Sequence, residues 1–193
     1  MKISIINYGA GNIKSIQFAF KRLGYNAELT NNLEEIIKAD KIIFPGVGEA
    51  SSAMKMLKAS GLDTLIPELK QPVLGICLGM QLMCNYTEEG ETNGLGIFNT
   101  NVKRFPDTVK VPHMGWNTVK NLKTDLFKNI KDNDYMYLVH SFYAEHCEQA
   151  IATSSYALEY ACALRKDNFY GVQFHPEKSS IAGEKLLQNF LDL

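Results

Sequence analysis

The sequence predicts an α/β fold: three layers built on an open, mostly parallel central sheet with flanking helices and antiparallel additions. Three observations predict it. Short apolar runs alternate with amphipathic stretches of helical spacing through the first half of the chain. The run Val73-Leu74-Gly75-Ile76 passes without a linker into Leu78-Gly79-Met80-Gln81-Leu82-Met83, a strand feeding straight into a helix. The second half then changes character to several further strand runs that suggest antiparallel pairing.

The elements follow in order. Residues 2–7 read as the first strand. Residues 13–23 space Ile13, Ile16, Phe20 and Leu23 along one helical face, and Gly24 supplies the stop. Residues 25–29 return as a strand. Thr30, Asn31 or Asn32 can cap a short helix through Lys38, and residues 41–44 form a third strand that delivers Pro45-Gly46-Val47-Gly48. Residues 51–60 are helical again. After the strand at 73–76 and its helix, the glycine-broken stretch 90–96 marks a loop. Strand signals then fall at 102–105, Val111, 118–119, 135–144, 150–154 and on both sides of a hairpin turn at Arg165-Lys166-Asp167-Asn168. Residues 181–193 close the chain as an amphipathic helix. No repeat, low-complexity tract or linker divides it, so residues 1–193 are expected to form a single domain.

A chain of 193 residues buries about 70% of its extended surface, enough to need neither disulfide nor metal. The net charge of −1 and the lack of a strongly basic stretch give no case for nucleic acid or an anionic membrane as partner. Cys77, Cys84, Cys147 and Cys162 fit no disulfide framework, and no signal peptide or long apolar span is evident. A cytoplasmic location with reduced thiols is expected.

The chemistry centres on Gly75-Ile76-Cys77-Leu78-Gly79, the sequence form of a nucleophile elbow. Cys77 would stand on the sharp turn between strand and helix, where a strained backbone needs small neighbours and where helix N–H groups favour a thiolate. By itself the segment also fits a buried structural cysteine between packing glycines. Near the other end, Tyr170-Gly171-Val172-Gln173-Phe174 alternates like a strand and stops at His175-Pro176-Glu177. A base at a strand end is well placed to meet the elbow, and Glu177 is near enough to orient its imidazole. Alone, His175 fits a strand-end histidine and Glu177 an N-terminal charge on the closing helix; with Cys77, the three make a triad. An oxyanion needs positioned donors worth about 3–4 kcal/mol each. The backbone at Val47 and Gly48 can supply one and the N–H of Leu78 another, although a glycine turn that merely ends a strand reads the same way.

Taken together, Pro45-Gly46-Val47-Gly48, Gly75-Ile76-Cys77-Leu78-Gly79-Met80-Gln81 and Phe174-His175-Pro176-Glu177-Lys178-Ser179 resemble the class I (triad-type) glutamine amidotransferases, in the family's order and across most of the chain. Within that family, Asn7-Tyr8-Gly9-Ala10-Gly11-Asn12, Val111-Pro112-His113-Met114-Gly115-Trp116-Asn117 and Val139-His140-Ser141-Phe142 resemble the members that supply ammonia to a separate (β/α)8-barrel cyclase for histidine synthesis. The resemblance implies a glutaminase with Cys77 as nucleophile, His175 as acid and base and Glu177 as its orienting carboxylate. It implies contacts to glutamine from Gly46, Gln81, Glu89, Ser141 and Phe142, and a segment at 45–48 that reorients when the partner's ligand binds. It further implies a heterodimer with the cyclase, meeting it through Asn12, Met114, Trp116, Asn117 and Lys178. Trp116 fits an interfacial anchor or core packing equally.

No cofactor is expected: Gly9-Ala10-Gly11 hints at a dinucleotide loop, but Lys14 replaces the third glycine. No metal is expected either, since His113, His140, His146 and the remaining cysteines lack zinc-ligand spacing. Two positions depart from the family pattern. Glu49 replaces a small residue beside the oxyanion segment, and Phe142 replaces a tyrosine. A paralogue feeding a surface-sugar pathway shares the same core, whereas the complete Cys77, His175 and Glu177 set argues against an inactive scaffold.

Overall fold

The computed structural model describes residues 1–9 and 11–193. Ala10, part of the opening motif and of the Gly9-Ala10-Gly11 run, lies outside the described residues. The chain begins with β1 (Ile3–Ile6), α1 (Ile13–Arg22), β2 (Ala27–Thr30), α2 (Leu33–Ile37), β3 (Lys41–Phe44), α3 (Ala50–Ala59) and α4 (Leu62–Leu65). It continues with β4 (Val73–Ile76), α5 (Leu78–Leu82), β5 (Cys84–Thr87), β6 (Thr92–Asn93) and β7 (Phe98–Arg104). Then come β8 (His113–Thr118), β9 (Tyr135–His140), β10 (Phe142–Ala144), β11 (Ala150–Tyr156), β12 (Leu158–Lys166), β13 (Phe169–Val172) and α6 (Ser180–Asp192).

Local chemistry accounts for the early boundaries. Ile16, Ala19 and Phe20 give α1 its buried stripe, and Gly24 at φ +87° takes the left-handed turn that ends it. Of the three possible caps for α2, Asn32 is the one used: its Oδ1 accepts from the N–H groups of Glu34 at 2.9 Å and Glu35 at 3.3 Å.

The main sheet runs β2-β1-β3-β4-β13-β12-β10-β7-β5-β6, with β11 also paired to β12. From β2 to β13 all pairings are parallel; beyond β13 they are antiparallel except β7 with β5. Strands β1, β3, β4 and β13 are buried along their whole length, as a sheet covered on both faces requires. One apolar layer joins Ile5, Ile43 and Leu74 to Phe20 of α1 and Leu187 and Phe190 of α6. The other joins Ile42, Phe44 and Val73 to Ile36 of α2, Met54 and Leu57 of α3, and Leu78 and Leu82 of α5. This is the three-layer order expected. Among the described residues, no helix is long and apolar enough to cross a membrane.

Several features differ from the sequence reading, the short helix α4 among them. The loop at 90–96 contains β6, and β5 follows directly after α5; both strands are too short for their periodicity to stand out. Residues 135–144 are two strands, split at Ser141. β9 pairs with β8 in a separate two-stranded sheet, while β10 joins the main sheet. Residues 169–172 form both the second arm of the expected hairpin and a parallel partner of β4, so β13 is buried on both faces instead of alternating.

The topology places the site. β1 leads to β2 on one side and the chain then returns to β3 on the other, so the parallel strands share one carboxyl edge, and the cleft opens along it one strand beyond that reversal. Phe44 and Gly75 are in register, as are Val172 and Ile76. The segments leaving β3, β4 and β13 therefore emerge side by side: Pro45-Gly46-Val47-Gly48, Cys77, and Gln173-Phe174-His175.

Candidate active site

Cys77 adopts φ +54° and ψ −112°, an uncommon conformation for a residue with a Cβ, and its N–H donates to Val172 O at 2.8 Å. The flanking glycines are required by contact. A Cβ on Gly79 would overlap the carbonyl oxygen of Phe44, and one on Gly75 would overlap the Met83 side chain. Gly79 thus lets the first turn of α5 press onto the end of β3, bringing Pro45-Gly46-Val47-Gly48 beside the elbow.

A cleft of about 280 Å³ opens over the thiol, lined by Val47, Gly48, Cys77, Leu78, Gln81, Glu89, Pro112, Val139, His140, Ser141, Phe142, His175 and Lys178. The geometry brings together nearly all the residues expected at the catalytic and substrate positions. Glu177 stands behind His175 instead of in the cleft, its Oε1 2.9 Å from His175 Nδ1, with both side chains buried. His175 itself is fixed through its backbone, its N–H donating to Tyr137 O at 2.9 Å and its carbonyl accepting from Ser179 Oγ at 2.7 Å. Gly46 does not line the cleft. It is buried below it, where a Cβ would come within 2.7 Å of Gly79 N and 2.8 Å of the Tyr8 hydroxyl. Gly48 takes φ +99° at the rim.

Burial by itself pushes the His175 imidazole down, but interactions with Cys77 and Glu177 outweigh it and bring the group up to about 10. Glu89 is raised: burial contributes most, the N–H of Ala50 donating to Oε2 at 3.0 Å opposes it, and the charge of Glu49 adds to it. Glu49 itself is pulled down to about 2 by hydrogen bonds from the backbone and hydroxyls of Ser51 and Ser52. It is the N-cap of α3, so its carboxylate turns toward that helix and away from the cleft.

Several partners were not evident from the sequence. The Tyr8 hydroxyl donates to Pro45 O at 2.7 Å, anchoring the start of the segment that follows β3; burial, with a smaller effect from Cys77, raises its pKa. Gln81 donates through Nε2 to Phe142 O at 3.0 Å and to Gln173 Oε1 at 2.9 Å. His140 Nδ1 lies 2.7 Å from the same Phe142 carbonyl and so carries a proton. Its Nε2 lies 3.3 Å from both His113 Nδ1 and Tyr160 Oη, and burial keeps the ring neutral by lowering its pKa to about 3. The one sequence signal for Gln173 is a polar residue in an otherwise apolar run entering His175.

At the expected interface, Met114 and Trp116 are 64% and 50% exposed on one face of β8, and Asn12 and Lys178 are exposed as well. Trp116 is therefore not a core residue; its ring meets the edge of Tyr137. Asn117 differs: its amide donates to Ser155 O and its Oδ1 accepts from the N–H of Thr118, tying the side chain into its own fold.

A cysteine on a strained strand-to-helix turn, faced by a histidine with a buried carboxylate behind it, defines a thiol-dependent acyl-transfer site. The chain belongs to the class-I glutamine amidotransferase family, whose model matches residues 4–193. Among its relatives, the imidazole glycerol phosphate synthase subunit HisH of Bacteroides fragilis (strain YCH46) is 55% identical over 196 residues, 100% of both chains. The protein of the same name from Haemophilus influenzae (strain ATCC 51907 / DSM 11121 / KW20 / Rd) is 47% identical, covering 100% of this chain and 98% of its own. Solved structures share the fold at low identity. PurLQS from Thermotoga maritima superposes with a TM-score of 0.72 at 15% identity, covering 100% of this chain and 99% of that one. A crystal structure described as glutamine amidotransferase gives a TM-score of 0.77 at 17% identity, covering 98% and 97%.

Proposed function

We propose that this chain is the glutaminase subunit of an imidazole glycerol phosphate synthase. It hydrolyses glutamine to glutamate and ammonia through a thioester on Cys77, and passes the ammonia to a separate cyclase subunit for histidine synthesis. The observation that carries the chemistry is the placement of Cys77 and His175 on one cleft with Glu177 behind the imidazole. Full-length similarity to the HisH relatives supports the pathway.

In the proposed reaction, Cys77 Sγ attacks the side-chain amide carbon and the carbonyl electron pair moves onto oxygen. The N–H of Leu78, which the start of α5 leaves without an intrahelical acceptor, and the peptide between Val47 and Gly48 receive that charge. His175 Nδ1 faces Glu177, so Nε2 is the atom that delivers a proton to the departing nitrogen as the C–N bond breaks. Water then loses a proton to the same Nε2 and attacks the thioester, the C–S bond breaks, and glutamate leaves.

Glu89 is suited to the substrate's ammonium, since one carboxylate oxygen is engaged by Ala50 and the group lines the cleft. Gln81 contributes through Oε1, because its amide nitrogen is already occupied. The carbonyls of Ser141 and Phe142 accept internal hydrogen bonds, which leaves their N–H groups to meet the substrate. Met114, Trp116, Lys178 and Asn12 form the cyclase-facing surface, and exposed Tyr135 and Ile181 extend its apolar part. Residues 1–193 act as one domain. All four cysteines are free, which supports a reducing, cytoplasmic setting.

The test is ammonia release from glutamine by the purified protein, with and without the barrel cyclase and its nucleotide ligand, using Cys77→Ala as control. Strong stimulation that disappears in the variant is expected. Turnover indifferent to the cyclase would redirect the chain to another ammonia-consuming pathway, and no turnover under any condition would reject the glutaminase.

A further inference from the structure

We propose that Gln173 is a positioning residue that delivers a hydrogen-bond donor to the sulfur of Cys77 and thereby favours its thiolate. The inference rests on the reading of Cys77 as nucleophile. Gln173 is fully buried where the chain leaves β13, and its Nε2 lies 3.6 Å from Cys77 Sγ. A buried amide has no solvent to set which end faces which neighbour, so its orientation follows from its partners.

Here the partners leave a single solution. The Phe142 carbonyl can only accept, and Gln81 answers it with Nε2 at 3.0 Å. The same Nε2 lies 2.9 Å from Gln173, which must present its oxygen there. The Gln173 NH2 is consequently turned to the sulfur. His140 Nδ1, 2.7 Å from the Phe142 carbonyl, holds the far end of the relay in place. The polarity of the chain of bonds is thus fixed by a backbone carbonyl two side chains away from the thiol.

The donor acts alongside what else faces the sulfur: the His175 imidazole, which interacts directly with Cys77, and the Tyr8 hydroxyl, near enough to feel the charge of the sulfur, neither of which the Gln173 variants alter. Val139 O lies 3.8 Å from Sγ and can only accept, which favours the protonated thiol. Gln173 offsets that carbonyl, and a hydrogen bond to an ionised acceptor is the stronger kind. The lining of Gln81, placed among the substrate contacts, then shares one network with the nucleophile, so occupancy of the cleft and the state of the sulfur are linked through a buried amide.

The experiment follows iodoacetamide alkylation of Cys77 as a function of pH by peptide mass spectrometry, in the full chain and in its Gln173→Met and Gln173→Glu variants. Cys147, partly exposed, is read in the same digests as an internal reference. Both variants fill the same space. Met removes the donor and Glu turns an acceptor toward the sulfur, so the alkylation curve of Cys77 is expected to move to higher pH in both, further in Glu, with Cys147 unmoved. Coincident Cys77 curves would overturn the proposal, as would an equal displacement at Cys147, which would place the effect in the fold as a whole. Because alkylation needs no turnover, the outcome is separate from the test of glutaminase activity: Cys77 can fail as a glutaminase nucleophile while the Gln173 effect on its reactivity stands or falls.

Discussion

The Glu177 carboxylate meets Nδ1 of His175 at 2.9 Å, although only Pro176 separates the two residues in the chain. Such a near neighbour reaches the ring because Pro176–Lys178 forms a single 3-10 turn that folds Glu177 back beneath the imidazole. With both side chains buried, the pair is well insulated from solvent.

A pH dependence follows. His175 is raised to about 10 despite the opposing effect of burial, and in the proposed reaction it must be protonated to release ammonia. The glutaminase rate should therefore fall as pH rises through about 10. In Glu177→Gln one of the raising interactions is gone, so the falling limb moves to lower pH. A pH profile of kcat/KM, which follows the free enzyme, on parent and variant checks this, and an unmoved limb would refute it. The stability sign agrees: a raised histidine stabilises the fold at pH below its unfolded value near 6.5 and loses that contribution as pH climbs through about 10.

In the proposed reaction, replacing Cys77 removes a covalent route rather than a contact. Cys77→Ser is expected to lower kcat at least about 1,000-fold with little change in glutamine affinity. Isothermal titration with glutamine alongside the ammonia assay separates the two effects.

The elbow is also a packing device. Gly79→Ala would set a methyl against the Phe44 carbonyl, a backbone atom that cannot move without disturbing β3. The variant should lose more than about 2 kcal/mol in urea unfolding, and its cleft should widen or collapse, so activity falls as well. A variant as stable as the parent would show that α5 does not need this close approach.

Glu49 anchors α3 as its N-cap, and Glu49→Ala is expected to cost about 1 kcal/mol. Because the carboxylate is lowered from 4.5 to about 2, its contribution is present above pH 4.5 and lost as pH falls toward 2. Thermal melts of parent and variant should converge through that acid window, whereas parallel curves would place the cap's effect elsewhere.

Trp116 stands half exposed beside Met114. Trp116→Ala should leave the melting temperature of the isolated chain nearly unchanged while weakening cyclase binding by about 30-fold, the scale of a hot-spot aromatic. Surface plasmon resonance against the cyclase measures it directly.

The sequence displayed the α/β layering through the alternation of strands and helices, and it displayed Cys77, His175 and Glu177 through local patterns. The elbow is legible because the strand, the turn and the helix are contiguous and its glycines are demanded by sterics within a few residues. The hairpin at Asp167-Asn168 is legible for the same reason. The second strand partner of β13 was not, since pairing with β4 joins segments nearly one hundred residues apart and leaves no local periodicity. Ser141 reads as the interior of a strand, yet it is where the chain passes from one sheet to another. The direction of the Glu49 carboxylate was likewise open until α3 supplied its N–H groups.

By itself the sequence determined which residue types could do the chemistry and which elements would carry them, because backbone preferences and apolar period act over a few residues. Only the tertiary structure decided that the ends of β3, β4 and β13 lie side by side, that Trp116 stays on the surface, and that Gln173 turns its nitrogen to the sulfur. Each of these depends on long-range pairing and on the single hydrogen-bond arrangement that a buried space allows.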